Sequence, residues 1–219
     1  SNETIKDIWD FQLEVQEGRA EEHFLKSYAL IGISMVSTPK DDLTALLDWL
    51  PEYLKRPDVA GIGEIGIEPN SWTSKDLKFQ EKIVREQLKL IKKFNKTVVF
   101  HTPLTAENKA KYTGVLLDMC KEYDIPMSKV VVDHCSEANL KMVLQSGAFA
   151  AVTVQPWRDI TPETAADLII EYGCDRIMVN SDCSDMISDP LSVPKTAYAL
   201  RKKGASENMI QKTCCKNAL

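Results

Sequence analysis

Four residues of this chain combine metal-ligating chemistry with a repeated position. They are Glu64 in "GIGEIG", His101 in "VVFH", His134 in "VVDH" and Asp182 in "VNSD". Each stands at or near the end of an apolar run, and two of the chain's 3 histidines are among them. Two neutral imidazoles and two carboxylates form a nitrogen and oxygen donor set for one or two divalent cations. Zinc fits best, with manganese, nickel or magnesium as further options. Such an ion lowers the pKa of bound water from about 9 on aqueous zinc towards about 7. That supplies hydroxide for hydrolysis of an ester, amide or phosphate. A carboxylate beside the water can take its proton, and Asp182 is the candidate for that work.

Each residue also has a plainer reading. Either histidine alone could be a packed core residue, and Asp182 alone could cap a turn. Glu64 resists this, because burying a carboxylate among glycines and isoleucines is costly without a cation or several donors. Four such groups at equivalent positions are hard to explain by packing alone.

The elements that position them follow from the apolar periodicity. A helix is expected over about Ile5 to Phe24, then a strand in "SYALIGISMVS" (27–37), then a helix in "DDLTALLDWLPEYLK" broken near Pro51. The pattern continues with strand "VAGIGEIGIE", a long amphipathic helix through Leu77, Ile83, Val84, Leu88 and Ile91, and strand "TVVFH". A helix over about Lys109 to Tyr123 leads to "KVVVDH", a short helix stopped at Gly147, and strand "AFAAVTV". In "TPETAADLIIEYG", Thr161 reads as the N-cap and Pro162 as the first helical residue, with Glu163 favouring the first turn. Strand "RIMVNSD" and two helices joined at Gly204 close the chain.

Six largely apolar strands alternating with helices predict an α/β fold with a parallel sheet. An open six-stranded sheet and a (β/α)8 TIM-type barrel both fit. A full barrel needs roughly 250 residues, so on that reading this chain lacks the first two strands. Either architecture collects ligands at the C-terminal strand ends, where the four residues lie. One domain over residues 1–219 is expected, with no linker or low-complexity tract.

The totals narrow the partners. A net charge of -5 and the lack of a lysine and arginine stripe disfavour nucleic acid without excluding it. No apolar run approaches the roughly 18 residues of a membrane span, and the polar start carries no signal-peptide pattern. A cytoplasmic protein acting on a small-molecule substrate is expected, with a homo-oligomer as an option. The 6 cysteines contain no Cys-x-x-Cys and imply no disulfide framework.

At "GEIG", "VVFHTP", "DHCS" and "NSDCSD" the chain resembles the TatD-related metal-dependent hydrolases of the amidohydrolase superfamily. It resembles most a divergent branch ending like "SDPLSVPKTAYALRKKG". The resemblance covers about Val59 to the C-terminus and implies a barrel with one or two divalent metals and hydrolytic, often nuclease or phosphoesterase, activity. It implies that Glu64 bridges two metals and that His101 and His134 are ligands. Asp182 is then both a ligand and the handler of the attacking water's proton.

The sequence departs from that pattern in three places. The family's His-x-His is absent, Asn180 stands where the nuclease branch has glutamate, and Glu68 stands where aspartate is usual. The first departure leads to the expectation that a preceding segment with two strands belongs to the protein, and that this chain alone holds metal weakly. The leading expectation is a hydrolase of phosphoesters or small esters and amides. A metal-dependent deoxyribonuclease is one alternative, and a non-catalytic scaffold or accessory subunit with a degenerate metal site is the other.

Weaker candidates are Asp133, which could face the helix layer, and Gln155 and Trp157 after the fifth strand. Lys109, Lys111 and Arg158 could meet an anion but read more simply as solvated charges, and His23 as a surface residue.

Overall fold

A computed structural model describes residues 2–34, 43–71, 76–158, 160–183 and 187–219. They form two compact units. Unit 1 holds residues 1–103 and 115–130, and unit 2 holds residues 104–114 and 131–219.

Unit 1 alternates helix and strand: α1 (Asn2–Glu22), β1 (Ala29–Leu30), α2 (Thr44–Leu54), β2 (Val59–Gly66), α3 (Leu77–Phe94) and β3 (Thr97–His101). Its strands pair in parallel in the order β1-β2-β3. α3 forms where the apolar spacing predicts it. Asp76 caps it by accepting from the Phe79 backbone N–H at 3.2 Å, and Asn95 ends it in the left-handed region. Its inner face buries Ile83, Val84, Leu88 and Ile91, each contributing about 1.5–3 kcal/mol of transfer free energy.

The glycines of β2 let that strand approach β3. A Cβ at Gly61 would sit 1.9 Å from the Thr97 carbonyl oxygen, and one at Gly66 would sit 2.6 Å from that of His101. The register slips between Ile62↔Val98 and Ile65↔Phe100, so β2 carries one residue more than β3 there. Such a bulge re-aims side chains next to it, and Glu64 lies within it.

Two expectations for unit 1 are corrected. The helix around Pro51 is not broken: α2 runs through it. Leu46, Leu50 and Leu54 are buried along one face, and their burial outweighs the roughly 3 kcal/mol cost of an interior proline. The first strand is only two residues long. Beyond it, the N–H of Ile33 donates to Gln87 Oε1 at 2.8 Å and its carbonyl accepts from Gln87 Nε2 at 3.2 Å, so a side-chain amide takes the place of a ladder there. Residues 35–37 of the expected strand lie outside the described residues.

α4 (Ala106–Glu122) begins in unit 2 and ends in unit 1. Unit 2 continues with β4 (Val130–Val132), α5 (Leu140–Ser146), β5 (Phe149–Thr153), α6 (Pro162–Tyr172), β6 (Ile177–Asn180), α7 (Ser192–Lys202) and α8 (Glu207–Cys214). Its strands pair in parallel in the order β4-β5-β6. The expected caps are present: the Thr161 hydroxyl accepts from the Thr164 N–H, and Gly147 and Gly204 have positive φ. Val132, Ala150, Val152 and Ile177 fill the interior with Leu140, Leu168, Ile169 and Leu200 from the helices. No helix of the described residues is long and apolar enough to cross a membrane.

Candidate metal centre

In unit 1 the β2 bulge and the close β2–β3 approach bring two of the expected residues together. Glu64 Oε2 lies 3.5 Å from His101 Nδ1, and Glu68 Oε2 lies 3.7 Å from His101 Nε2. Burial disfavours a charged His101 ring, but the two carboxylates outweigh it and raise the pKa to about 9. An imidazole flanked on both ring nitrogens by carboxylates is an arrangement that calls for a cation. In the metal-free protein a proton serves that need.

Glu68 is held in turn by α3. Gln80, fully buried, accepts from the Glu68 N–H at 2.7 Å and donates to the Glu68 carbonyl at 2.9 Å. Gln80 and Gln87 lie two turns apart and each clamps the backbone of one residue beyond a strand. Both interrupt the apolar stripe of α3, which is the sequence signal that would have found them.

In unit 2, His134 and Asp182 take equivalent positions. Each follows its strand by two residues, β4 for His134 and β6 for Asp182, and both have positive φ, 55° and 42°. A left-handed backbone at a non-glycine residue costs of order 1–3 kcal/mol and gathers at functional sites. His134 is buried, with Nδ1 at 2.8 Å from Thr153 Oγ1. That hydroxyl donates to Asp133 Oδ1 at 3.0 Å. Its single proton is thereby used, so it accepts from His134 Nδ1–H, and the lone pair is on Nε2. Asp133 Oδ1 also accepts from the His134 N–H at 2.6 Å and from Asn180 Nδ2 at 2.8 Å. The Oδ1 of Asn180 is buried without a partner.

Asp182 is placed through its backbone, whose carbonyl accepts from Gln155 Nε2 at 2.5 Å and from the Ser188 hydroxyl at 3.4 Å. Its carboxylate lies 3.8 Å from Arg158 Nη2. Asp185, the last residue of "NSDCSD", lies outside the described residues.

Several secondary expectations change. Asp133 does not face the helix layer; it is the acceptor that ties Thr153, Asn180 and the His134 backbone together. Lys109 is not a solvated charge: it is buried, and its Nζ donates to the His134 carbonyl. Arg158 is mostly buried as well, with its Nε on Gln155 Oε1 at 2.9 Å and its guanidinium 4.5 Å over the Trp157 ring. Lys111 and His23 are exposed, as expected. Thr153 was invisible in the sequence, since a threonine in an apolar strand carries no metal signal. All 6 cysteines are free. Burial pushes the Cys120 thiol up to about 12 and also raises Cys135, so neither supplies a thiolate nucleophile.

Parallel strands with cation-seeking groups at their C-terminal ends define a metal-dependent hydrolase of the (β/α) TIM-barrel type, and comparison with known proteins agrees. The TatD-related DNase family matches residues 13–218, and the chain belongs to it. It is 28% identical over 216 residues to an uncharacterized metal-dependent hydrolase of Methanocaldococcus jannaschii, covering 99% of this chain and 82% of that one. The crystal structure of a TatD-like protein from Archaeoglobus fulgidus superposes with a TM-score of 0.74 at 24% identity, covering 97% of this chain and 79% of the other. The phosphotriesterase homology protein of Escherichia coli, complexed with phosphate in its active site, gives 0.66 at 14% identity over 93% and 76%. At these identities the solved structures establish the fold.

Proposed function

We propose that Glu64, His101, His134 and Asp182 together hold one or two divalent cations, zinc foremost, and that the protein hydrolyses phosphoesters. The observation that carries this reading is His101 held between Glu64 and Glu68 at 3.5 and 3.7 Å. The chemistry of the donors fits the implied metal: two imidazoles and carboxylates, half-buried at Glu64 and His101 and buried at His134. His134 suits a ligand's part because its Nδ1–H donates to Thr153, which puts the lone pair of the ring on Nε2.

When bound, the ion supplies Lewis acidity and an acidified water. The chain's own residues do the rest. Asp182 takes the proton of the attacking water as its oxygen bonds to phosphorus and the ester P–O bond breaks. That proton then goes to the leaving oxygen or to solvent. Lys109 and Arg158 are both cations of unit 2 and can balance charge on the phosphoryl oxygens, while Gln155 holds the Asp182 backbone and the Arg158 head together.

The family's description favours a second reading, cleavage of DNA. The net charge of -5 weighs against extended backbone contacts. A panel of small phosphodiesters, carboxylic esters and single- and double-stranded DNA at one metal concentration separates the two. Turnover of small phosphodiesters above DNA is expected. DNA cleavage without small-molecule turnover reverses the substrate assignment. No turnover of anything by metal-loaded protein favours a scaffold.

A further inference from the structure

Beside His134, unit 2 contains a cavity of about 290 Å³ whose lining is divided in character. Lys109 and Arg158 supply positive charge, while Leu104, Trp157 and Ile160 supply apolar surface. Leu104 is 61% exposed and Trp157 39% exposed. Large apolar side chains left open at the rim of a polar cavity are characteristic of ligand sites rather than of packing. Trp157 is also fixed in orientation, because the Arg158 guanidinium stacks on its ring at 4.5 Å and is itself tethered to Gln155.

We infer that this cavity is the subsite for the group esterified to the phosphoryl centre, and that it selects a single planar ring. The inference rests on the phosphoester reading of the neighbouring residues. Two features choose the ring. The volume lies at the lower end of the roughly 300–1,000 Å³ usual for small-molecule pockets, so it admits one ring and not a duplex. An aromatic face beside a cation suits a substrate with a π-surface next to an anion. Lys109 and Arg158 meet the phosphoryl oxygens, and Trp157 and Ile160 meet the ring.

Phenylphosphonate and methylphosphonate test this without any turnover, because neither has an ester bond to break. Binding of each to the zinc-loaded protein is measured by calorimetry. Phenylphosphonate is expected to bind about tenfold tighter, the scale of a stacked ring. Trp157→Ala should bring the two affinities close together, and Trp157→Phe should keep most of the difference. Ile160→Ser should also narrow the ratio, which covers the case in which Trp157→Ala fails to fold. Arg158→Gln should weaken both phosphonates alike. Equal affinities in the wild type, or a ratio untouched by Trp157→Ala and Ile160→Ser, overturn the ring subsite. If phosphoesters are still turned over in that case, the catalytic reading stands. If neither phosphonate binds and no phosphoester is turned over, both fail together.

Discussion

The Nδ1 atom of His134 lies 2.8 Å from Thr153 Oγ1, and that hydroxyl donates onward to Asp133 at 3.0 Å. The chain of donors fixes the tautomer of a buried imidazole and so decides which nitrogen can take a metal. Replacing Thr153 with valine keeps the shape and removes the relay. Metal affinity should fall about 10- to 100-fold. The melting temperature should fall as well, because buried Asp133 loses a donor worth about 1–3 kcal/mol. Titration with zinc against a competing chelator reads the first effect. Unchanged affinity in a folded variant would show that His134 does not ligate through the assigned nitrogen.

His101 makes metal binding depend on pH. Its folded pKa, about 9, lies above the ordinary 6.5. The carboxylate pair therefore stabilises the metal-free protein fully below about 6.5, and that contribution is lost as pH rises through about 9. Only the neutral ring binds metal, so binding at pH 7 to 8 should release close to one proton from His101. Calorimetry in buffers of differing ionisation enthalpy counts that proton. His101→Asn should abolish the release, and an equal count in the variant would assign the proton elsewhere.

Gln80 and Gln87 form a matched pair on α3, one bound to the backbone of Glu68 and the other to that of Ile33. Gln87→Leu removes the partners of the Ile33 N–H and carbonyl. Gln80→Leu removes that of the Glu68 N–H and leaves the Glu68 carbonyl its bond from the Ser71 N–H. Each backbone group that loses its partner costs about 1–3 kcal/mol. Only Gln80→Leu should also move the His101 titration, because Glu68 faces that ring beside Glu64 whereas Gln87 holds Ile33. Imidazole proton shifts followed by NMR in both variants distinguish positioning from simple stability. Equal shifts in the two would deny Gln80 its specific part.

Asp182→Asn changes a proton acceptor with almost no change in volume. Turnover of a small phosphodiester should fall about 10²- to 10⁴-fold, with the fold intact by circular dichroism. Retention of more than a tenth of the wild-type rate would place the proton acceptor on another residue.

Much of this was legible in the residues themselves. The parallel strands announced themselves as apolar runs, and the caps at Thr161, Gly147 and Gly204 followed from local chemistry. Glu64 stood out because a carboxylate set between glycines in an apolar strand needs an explanation. What stayed hidden depends on side chains meeting across elements. Lys109 looked like one more surface charge, yet it turns inward to the His134 carbonyl. Thr153 looked like an ordinary strand residue until β5 placed it beside Asp133. The short β1 could not be foreseen, because its continuation pairs with a glutamine from α3. Pro51 misled for a related reason: local propensity opposed a helix that burial on both sides of it sustains.

The central claim is that Glu64, His101, His134 and Asp182 hold the metal that hydrolysis needs. Its most direct test is metal stoichiometry by elemental analysis after chelator treatment, reloading with zinc and extensive dialysis. The wild type and four single variants, Glu64→Gln, His101→Asn, His134→Asn and Asp182→Asn, are compared. The wild type should retain more zinc than each folded variant. Wild-type protein that retains no more zinc than the four variants would contradict the account.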